Sequence, residues 1–318
     1  MKSKIPVGVS QCLLGERVRF DGGHKRSRYV TDHLSEYFEF LSLCPEMAIG
    51  LGTPRQPVRL VADGANTQVR GTRDASLDVT APLADYAKQV VPQIEPLCGY
   101  IFMQKSPSCG VFSVKRYNND GQLVDNDGRG AFAAVITQQF PLLPVEEAGR
   151  LNDARLRENF ITRVYAYHDW RTNVKSEPSA KRLLDFYSRY KYQVMAHDLE
   201  SYRKIGPVLA NLKAAPIEDI CQRFIALFMA ALSHKVTRKG NTNALMHLRG
   251  YLKSSTTADE KAEIGELIEH YRVGMVPLVV PLTLLKHHLR KVDDPYLQQQ
   301  TFWSPHPAAM GLRNTNEE

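Results

Sequence analysis

The sequence predicts an α/β domain with a mostly parallel, Rossmann-like sheet over residues 1–148, followed by an all-α helical domain over 149–318. Three observations predict it. Short apolar runs alternate with amphipathic stretches in the first half. Strand signal fades beyond the proline-marked segment FPLLPVEE at 140–147. Long helical patterns fill the remainder, with Pro178, Pro207, Pro216 and Pro277 at helix boundaries or kinks. A chain of 318 residues is also long for a single core, which favours two domains.

The elements follow in order. Ile5–Ser10, Phe38–Leu43, 58–61, 99–104 and 111–116 read as strands. Between them, 31–37, 82–94 and 130–139 read as helices; in the second, Leu83, Tyr86, Ala87, Val90, Val91 and Ile94 recur at helical spacing. Strands alternating with helices imply a largely parallel sheet. Beyond residue 144 the pattern predicts helices over 145–171, 180–213, 217–237, 241–252, 256–273 and 278–292, which together make a bundle. The last dozen residues, ending GLRNTNEE, read as a frayed tail.

Composition excludes several classes. No apolar run reaches the roughly eighteen residues of a membrane span, so no transmembrane helix is expected. The start, MKSKIPVGVSQCLLG, has two lysines before an apolar stretch, but that stretch is strand-like, broken by Ser10 and Gln11, and lacks a small-residue cleavage site. Five cysteines, an odd number, argue against a disulfide framework and for free thiols or metal ligands in a reducing cytoplasm. Residues 1–150 hold 17 of the 41 Lys/Arg and 16 of the 34 Asp/Glu, so most of the net charge of +7 lies in the second half. That surplus suggests a polyanion-binding surface, with RNA contact through Lys235, Arg238, Lys239, Arg249, Lys253, His287, Arg290 and Lys291; a solvated, basic helical surface accounts for it equally well.

Three cysteines share a context. Cys12 follows IPVGVS, Cys44 follows FEFLSL and precedes Pro45, and Cys109 follows GYIFMQ within KSPSCG. In an open α/β sheet the loops after the strands' carboxyl ends line the ligand crevice, so three cysteines distant in sequence can converge. Soft thiolates suit zinc, copper(I) and iron–sulfur clusters. Structural zinc wants four ligands, usually from close pairs, and no C-x-x-C is present. A [4Fe–4S] cluster usually takes four cysteines, and with three one iron stays open. The bland alternative is buried structural cysteine, which is the reading for Cys98 and Cys221.

The flanking residues add chemistry. Glu46, two residues from Cys44, is an acid–base candidate or else a helix-start carboxylate after Pro45. Ser10, Ser106 and Ser108 flank the cysteine segments and can hydrogen-bond a heterocycle, or serve as ordinary turn serines. Gly22, Gly23, His24 and Lys25 with Arg26, Arg28 and Arg55 suggest an anion pocket.

The motifs SQCLLG, DGGHK, CPEMAIGLGTPR and KSPSCG, in this order, closely resemble those of the thiouracil desulfidase family over roughly residues 5–150, and the helical half resembles a module of unclear function fused to that domain in bacteria. The resemblance implies a [4Fe–4S] cluster bound by Cys12, Cys44 and Cys109, with the acid–base and hydrogen-bonding roles falling on Glu46 and Ser106. It implies sulfur removal from thiolated pyrimidines without net redox change, on 4-thiouracil or, for the fused form, 4-thiouridine monophosphate, giving UMP and sulfide. Two other readings use the same residues: a zinc- or thiol-dependent hydrolase, and an RNA-binding protein whose cluster is structural.

Overall fold

In the computed structural model the described residues are 3–64, 66–252, 255–292 and 294–313. They form two compact units, Met1–Asn152 and Asp153–Glu318.

The first unit is built on a four-stranded sheet of order β2-β1-β5-β8. Its strands are β1 (Ile5–Ser10), β2 (Phe38–Leu43), β5 (Tyr100–Phe102) and β8 (Val145–Glu147), all parallel. A second sheet of order β4-β3-β6-β7 was not expected. It contains β3 (Val58–Asp63), β4 (Asn66–Gly71), β6 (Val114–Tyr117) and β7 (Leu123–Gly128), and only β3 and β6 run parallel. The sequences of β4 and β7, NTQVRG and LVDNDG, lack the alternation that marks a half-buried strand, so hairpin pairing rather than pattern defines them. Helix α1 (Thr80–Gln89) stops short of the predicted 94, and a separate turn, Val91–Ile94, carries Pro92 at its start, where a missing N–H is tolerated. Helix α2 (Ala131–Gln139) joins α1 through stacked Tyr86 and Phe132 rings, 5.9 Å apart. Residues 31–37 form irregular helical turns rather than one helix.

The core of this unit explains one glycine. Tyr100 lies beside Gly8 in register, and a Cβ on Gly8 would sit 2.2 Å from the Tyr100 ring. Only glycine leaves room for that ring, which stacks on Phe102 at 4.0 Å.

The predicted helix 145–171 is corrected. Its first residues are strand β8, whose Glu146 and Glu147 are buried and hydrogen-bonded. Helix α3 (Ala154–Trp170) starts only after Asp153, whose side chain accepts from Arg155 N and Leu156 N. The predicted 180–213 splits at Asp198, which caps α5 (Leu199–Ala210) just after α4 (Ala180–His197) ends. Then follow α6 (Ile217–Ser233), α7 (Arg238–Arg249), α8 (Ala258–Arg272) and α9 (Val279–Leu289). Rings from α3, α4 and α6 form an aromatic core: Trp170 packs on Phe224 at 5.5 Å, and Phe186 on Phe228 at 5.1 Å. The frayed-tail expectation fails as far as Arg313, whose guanidinium donates to Glu158 Oε1 (2.6 Å) and Phe302 O (2.7 Å). The remainder of that tail, 314–318, and Lys253 lie outside the described residues. Among the described residues no helix is long and apolar enough to cross a membrane.

Candidate active site

Each of the three sequence-selected cysteines follows a strand of the parallel sheet. β1 and β2 end in register at Ser10 and Leu43, so Cys12 and Cys44 leave the same sheet edge from neighbouring strands. The loop after β5 carries Cys109. All three line one pocket of about 480 Å3. Cys98 and Cys221 are buried and do not line it.

The Cys109 loop is held by backbone bonds. Ser106 Oγ accepts from Ser108 N (3.2 Å) and Cys109 N (3.1 Å), and Gly110 N donates to Ser106 O (2.8 Å). Lys105 enters the turn at φ 58°, a left-handed conformation that costs a non-glycine residue about 1–2 kcal/mol. Helix α2 adds a second clamp: Gly130 N, Ala131 N and Ala133 N donate to the carbonyls of Gly110, Pro107 and Ser108. A Cβ at Gly130 would lie 2.4 Å from the Ser108 carbonyl carbon, so glycine is required for that approach. Buried Glu147 fixes the far side by accepting from Val111 N at 2.8 Å.

Glu46 sits at the pocket wall in the turn Pro45–Ala48, and both its oxygens are engaged. Oε2 pairs with Arg55, and Oε1 accepts from Ser108 Oγ at 2.7 Å. Arg55 also donates to Val18 O (3.0 Å) and Gly52 O (2.6 Å). Its guanidinium is therefore committed to the protein, and it positions Glu46 instead of standing free for an anion.

The thiols feel each other. Burial pushes the Cys12 thiol up to about 11, with Cys44 and Glu46 adding to the rise and Arg19 opposing it. Burial also raises Cys44, and it raises Cys109 well above the ordinary thiol value; there Glu46, Cys44 and Cys12 add, and a hydrogen bond from Ser10 opposes. Such a site takes thiolates only if a cationic group enters with them, because a bound metal deprotonates its thiol ligands. The donors fit a thiophilic group. They do not converge as ligands of one ion: among the described residues no group of three or more His, Cys, Asp or Glu could hold a metal ion. Thiols spread around a pocket suit a polynuclear group better than a single zinc. The Tyr100 hydroxyl is fully buried without a hydrogen-bond partner and does not line the pocket; its ionisation is opposed first by burial and next by Cys109.

The remaining predicted residues divide. Ser10, Lys25 and Ser106 line the pocket. Ser10 Oγ also accepts from Met103 N at 2.9 Å. Ser108 lies behind Glu46, fully buried, and reaches the site only through that carboxylate. Gly22 and Gly23 shape the turn after Arg19, with Gly22 at φ 73°, and do not line the pocket. Arg28 lines an adjoining pocket of about 490 Å3 together with His24, and the two pockets share Lys25, Met103 and Gln104. Sequence reasoning missed Arg19, Gln104 and Lys105 at the wall, although each stands within a few residues of a selected motif.

Both parts of the sequence match known families. The profile of the 2-thiouracil desulfurase family matches residues 7–148, and a family of unknown function, DUF1722, matches 191–307. An uncharacterized Escherichia coli (strain K12) protein, YbgA, is 30% identical over 166 residues, spanning 52% of this chain and 98% of that protein. The chain joins a 2-thiouracil desulfurase family domain to a DUF1722 domain. The uncharacterized Bacillus subtilis (strain 168) protein YbbK is 26% identical over 136 residues, 41% of this chain and 88% of that protein. Among solved structures, one described as the [4Fe-4S]-dependent thiouracil desulfidase TudS is 30% identical, covering 47% of this chain and 95% of that one with a TM-score of 0.39. The expected RNA-contacting surface finds no support in these relatives or in the helical unit. Arg238 donates to Tyr271 O, Arg249 to Lys261 O and Lys291 to Glu260, so three of the cations named for it are tied down locally.

Proposed function

We propose that the α/β unit cleaves the C–S bond of a thiolated pyrimidine by hydrolysis, turning C=S and water into C=O and hydrogen sulfide, at a [4Fe–4S] cluster held by Cys12, Cys44 and Cys109. The observation that carries this reading is the meeting of three thiols from separate strand ends with Glu46 around one pocket. When bound, the cluster supplies a Lewis-acidic iron with a free position that favours thiocarbonyl sulfur over carbonyl oxygen.

The protein groups do the remainder. Glu46 takes the proton of the attacking water. Its two oxygens have about four lone-pair sites, and the bonds from Arg55 and Ser108 leave some of these open while fixing the carboxylate plane. Ser106 Oγ already accepts two amide hydrogens, so its own hydrogen is free to donate to a ring oxygen or nitrogen and orient the base. Lys25 and Arg28, facing the adjoining basic pocket, suit the phosphate of 4-thiouridine monophosphate. The apolar walls at Leu43, Pro57 and Met103 restrict water around the base.

The test is sulfide release from 4-thiouracil and 4-thiouridine monophosphate by anaerobically reconstituted full-length protein, with iron measured on the same samples. Glu46→Ala should keep its iron and lose about 10²–10⁴-fold in turnover, the usual worth of a general base. Wild-type turnover in that variant, or no sulfide from iron-loaded wild type, sinks the reading.

A further inference from the structure

We infer that the helical unit contains a binding site for the phosphate group of a small phosphomonoester. Arg155, Glu158, Asn159 and Thr162 lie along one face of α3, at spacings of one to four residues that bring them together. They line a cavity of about 40 Å3 together with His197 at the end of α4, Lys235 between α6 and α7, Asn241 on α7 and Arg313. At about 15 Å3 per enclosed water this is room for roughly three waters, the scale of one tetrahedral oxyanion.

The charges in this cavity are incompletely matched. Glu158 is its one lining carboxylate and is already engaged: Arg313 Nε lies 2.6 Å and His306 Nε2 3.7 Å from its Oε1. Burial alone would raise that carboxyl, and these partners outweigh it and hold it at about 2. Asp153 lies close to both Lys235 and Arg155 but is occupied capping α3 and does not line the cavity. No side-chain hydrogen bond or ion pair of Arg155 or Lys235 occurs among the described residues, and Arg155 Nε is buried without a partner. Arg155, Lys235 and Arg313 against the carboxylates of Glu158 and nearby Asp153 leave a net positive charge at the cavity, and a guanidinium fork matches phosphate oxygens. Neutral side chains already engaged within the protein complete the lining. Asn159 fixes the loop before Lys235 by donating to Leu232 O (2.9 Å) and His234 O (3.1 Å). His197 is satisfied by His234 O (2.7 Å) and Gln193 (2.9 Å), so it forms a neutral wall. A half-buried guanidinium and an exposed ammonium lining one small cavity, with neither side chain paired among the described residues, form an arrangement that can grip a terminal phosphate and leave the organic part outside.

The test is calorimetric titration of the full chain with inorganic phosphate, UMP, uridine and acetate at constant ionic strength. Lys25→Gln/Arg28→Gln protein is used as background, so that the basic pocket of the α/β unit does not contribute. Phosphate and UMP should bind saturably there, uridine and acetate at least tenfold more weakly. Adding Arg155→Gln and Lys235→Gln should weaken phosphate at least tenfold with an unchanged circular dichroism spectrum, and Lys239→Gln, on an exposed lysine outside the cavity, should leave it intact. If the combined variant fails to fold, Lys235→Gln alone should still weaken binding severalfold. Absence of phosphate binding in the background protein, equal binding of acetate, or equal loss in Lys239→Gln overturns the assignment. Sulfide release plays no part in these readouts, so they stand or fall apart from the desulfurase chemistry.

Discussion

Cysteines mark the contrast between the two units. In the α/β unit, Cys12, Cys44 and Cys109 stand in segments that follow strands of the parallel sheet, and all three line one pocket. In the helical unit Cys221 lies on the buried face of α6, one helical turn from Phe224 and Ile225, as a small apolar filler. The same side chain is a ligand candidate in one setting and core material in the other. Parallel strands terminate at one edge and aim several loops at one point. A helix bundle instead hides its side chains between helices and leaves polar groups only where helix ends and loops meet. The cavity of Arg155, Lys235 and Arg313 is such a meeting place.

The comparison breaks most visibly under cysteine replacement. Serine at Cys12, Cys44 or Cys109 should reduce iron bound after anaerobic reconstitution from about four per chain to near none, since an alkoxyl ligand is harder than a thiolate. Serine at Cys98 or Cys221 should leave iron content unchanged. Loss of iron in Cys98→Ser would mean a fourth ligand and remove the open position from the scheme.

An intermediate effect separates the units by pH. His197 of α4 is held neutral, lowered to about 4 by burial first, against the opposing pull of the His234 carbonyl and Glu158, while Arg313 and Arg163 lower it further. Its folded value lies below the unfolded one, so its contribution to stability is complete above about pH 6.5 and is lost as pH falls toward 4, at most about 3 kcal/mol. His168, also lowered by burial, adds in the same direction. Urea unfolding of the helical unit at pH 7 and pH 5 should show this loss, and His197→Gln should flatten the dependence. The metal-free α/β unit has the opposite liability. Cys12 is raised to about 11, so stability from this thiol is present below pH 9 and lost as pH rises through 11. A pH 5 loss that survives in His197→Gln would assign the acid sensitivity elsewhere.

The smallest effect tests a purely local feature. Thr257 caps α8 by accepting from Glu260 N (3.2 Å), and Glu260 accepts in return from Thr257 N (2.8 Å). Thr257→Ala should cost about 1 kcal/mol in the urea midpoint of the helical unit and nothing in bound iron. A loss of several kcal/mol would show that the position supports more than the helix end.

The cysteine triad, the strands β1 and β2 and the helical second half were legible in the sequence because each has a local signature: an apolar run, a turn-forming motif, a helical period. Strand β8, read as the start of a helix, was illegible because Val-Glu-Glu carries no strand pattern; its carboxylates are buried only because loop amides and Arg150 receive them. Likewise Arg55 reads in sequence as a free cation, whereas folding places Glu46 and the carbonyls of Val18 and Gly52 around it.

The sequence by itself determined which residues are candidates for soft-ligand and acid–base chemistry, because residue type and turn context are local properties. Tertiary structure decided which of them share a pocket. It turned Ser108 away from the pocket and onto Glu46, and it drew Arg155, Lys235 and Arg313 around one cavity. Proximity between residues so far apart along the chain is set by how strands pair and helices pack, and no local pattern encodes it.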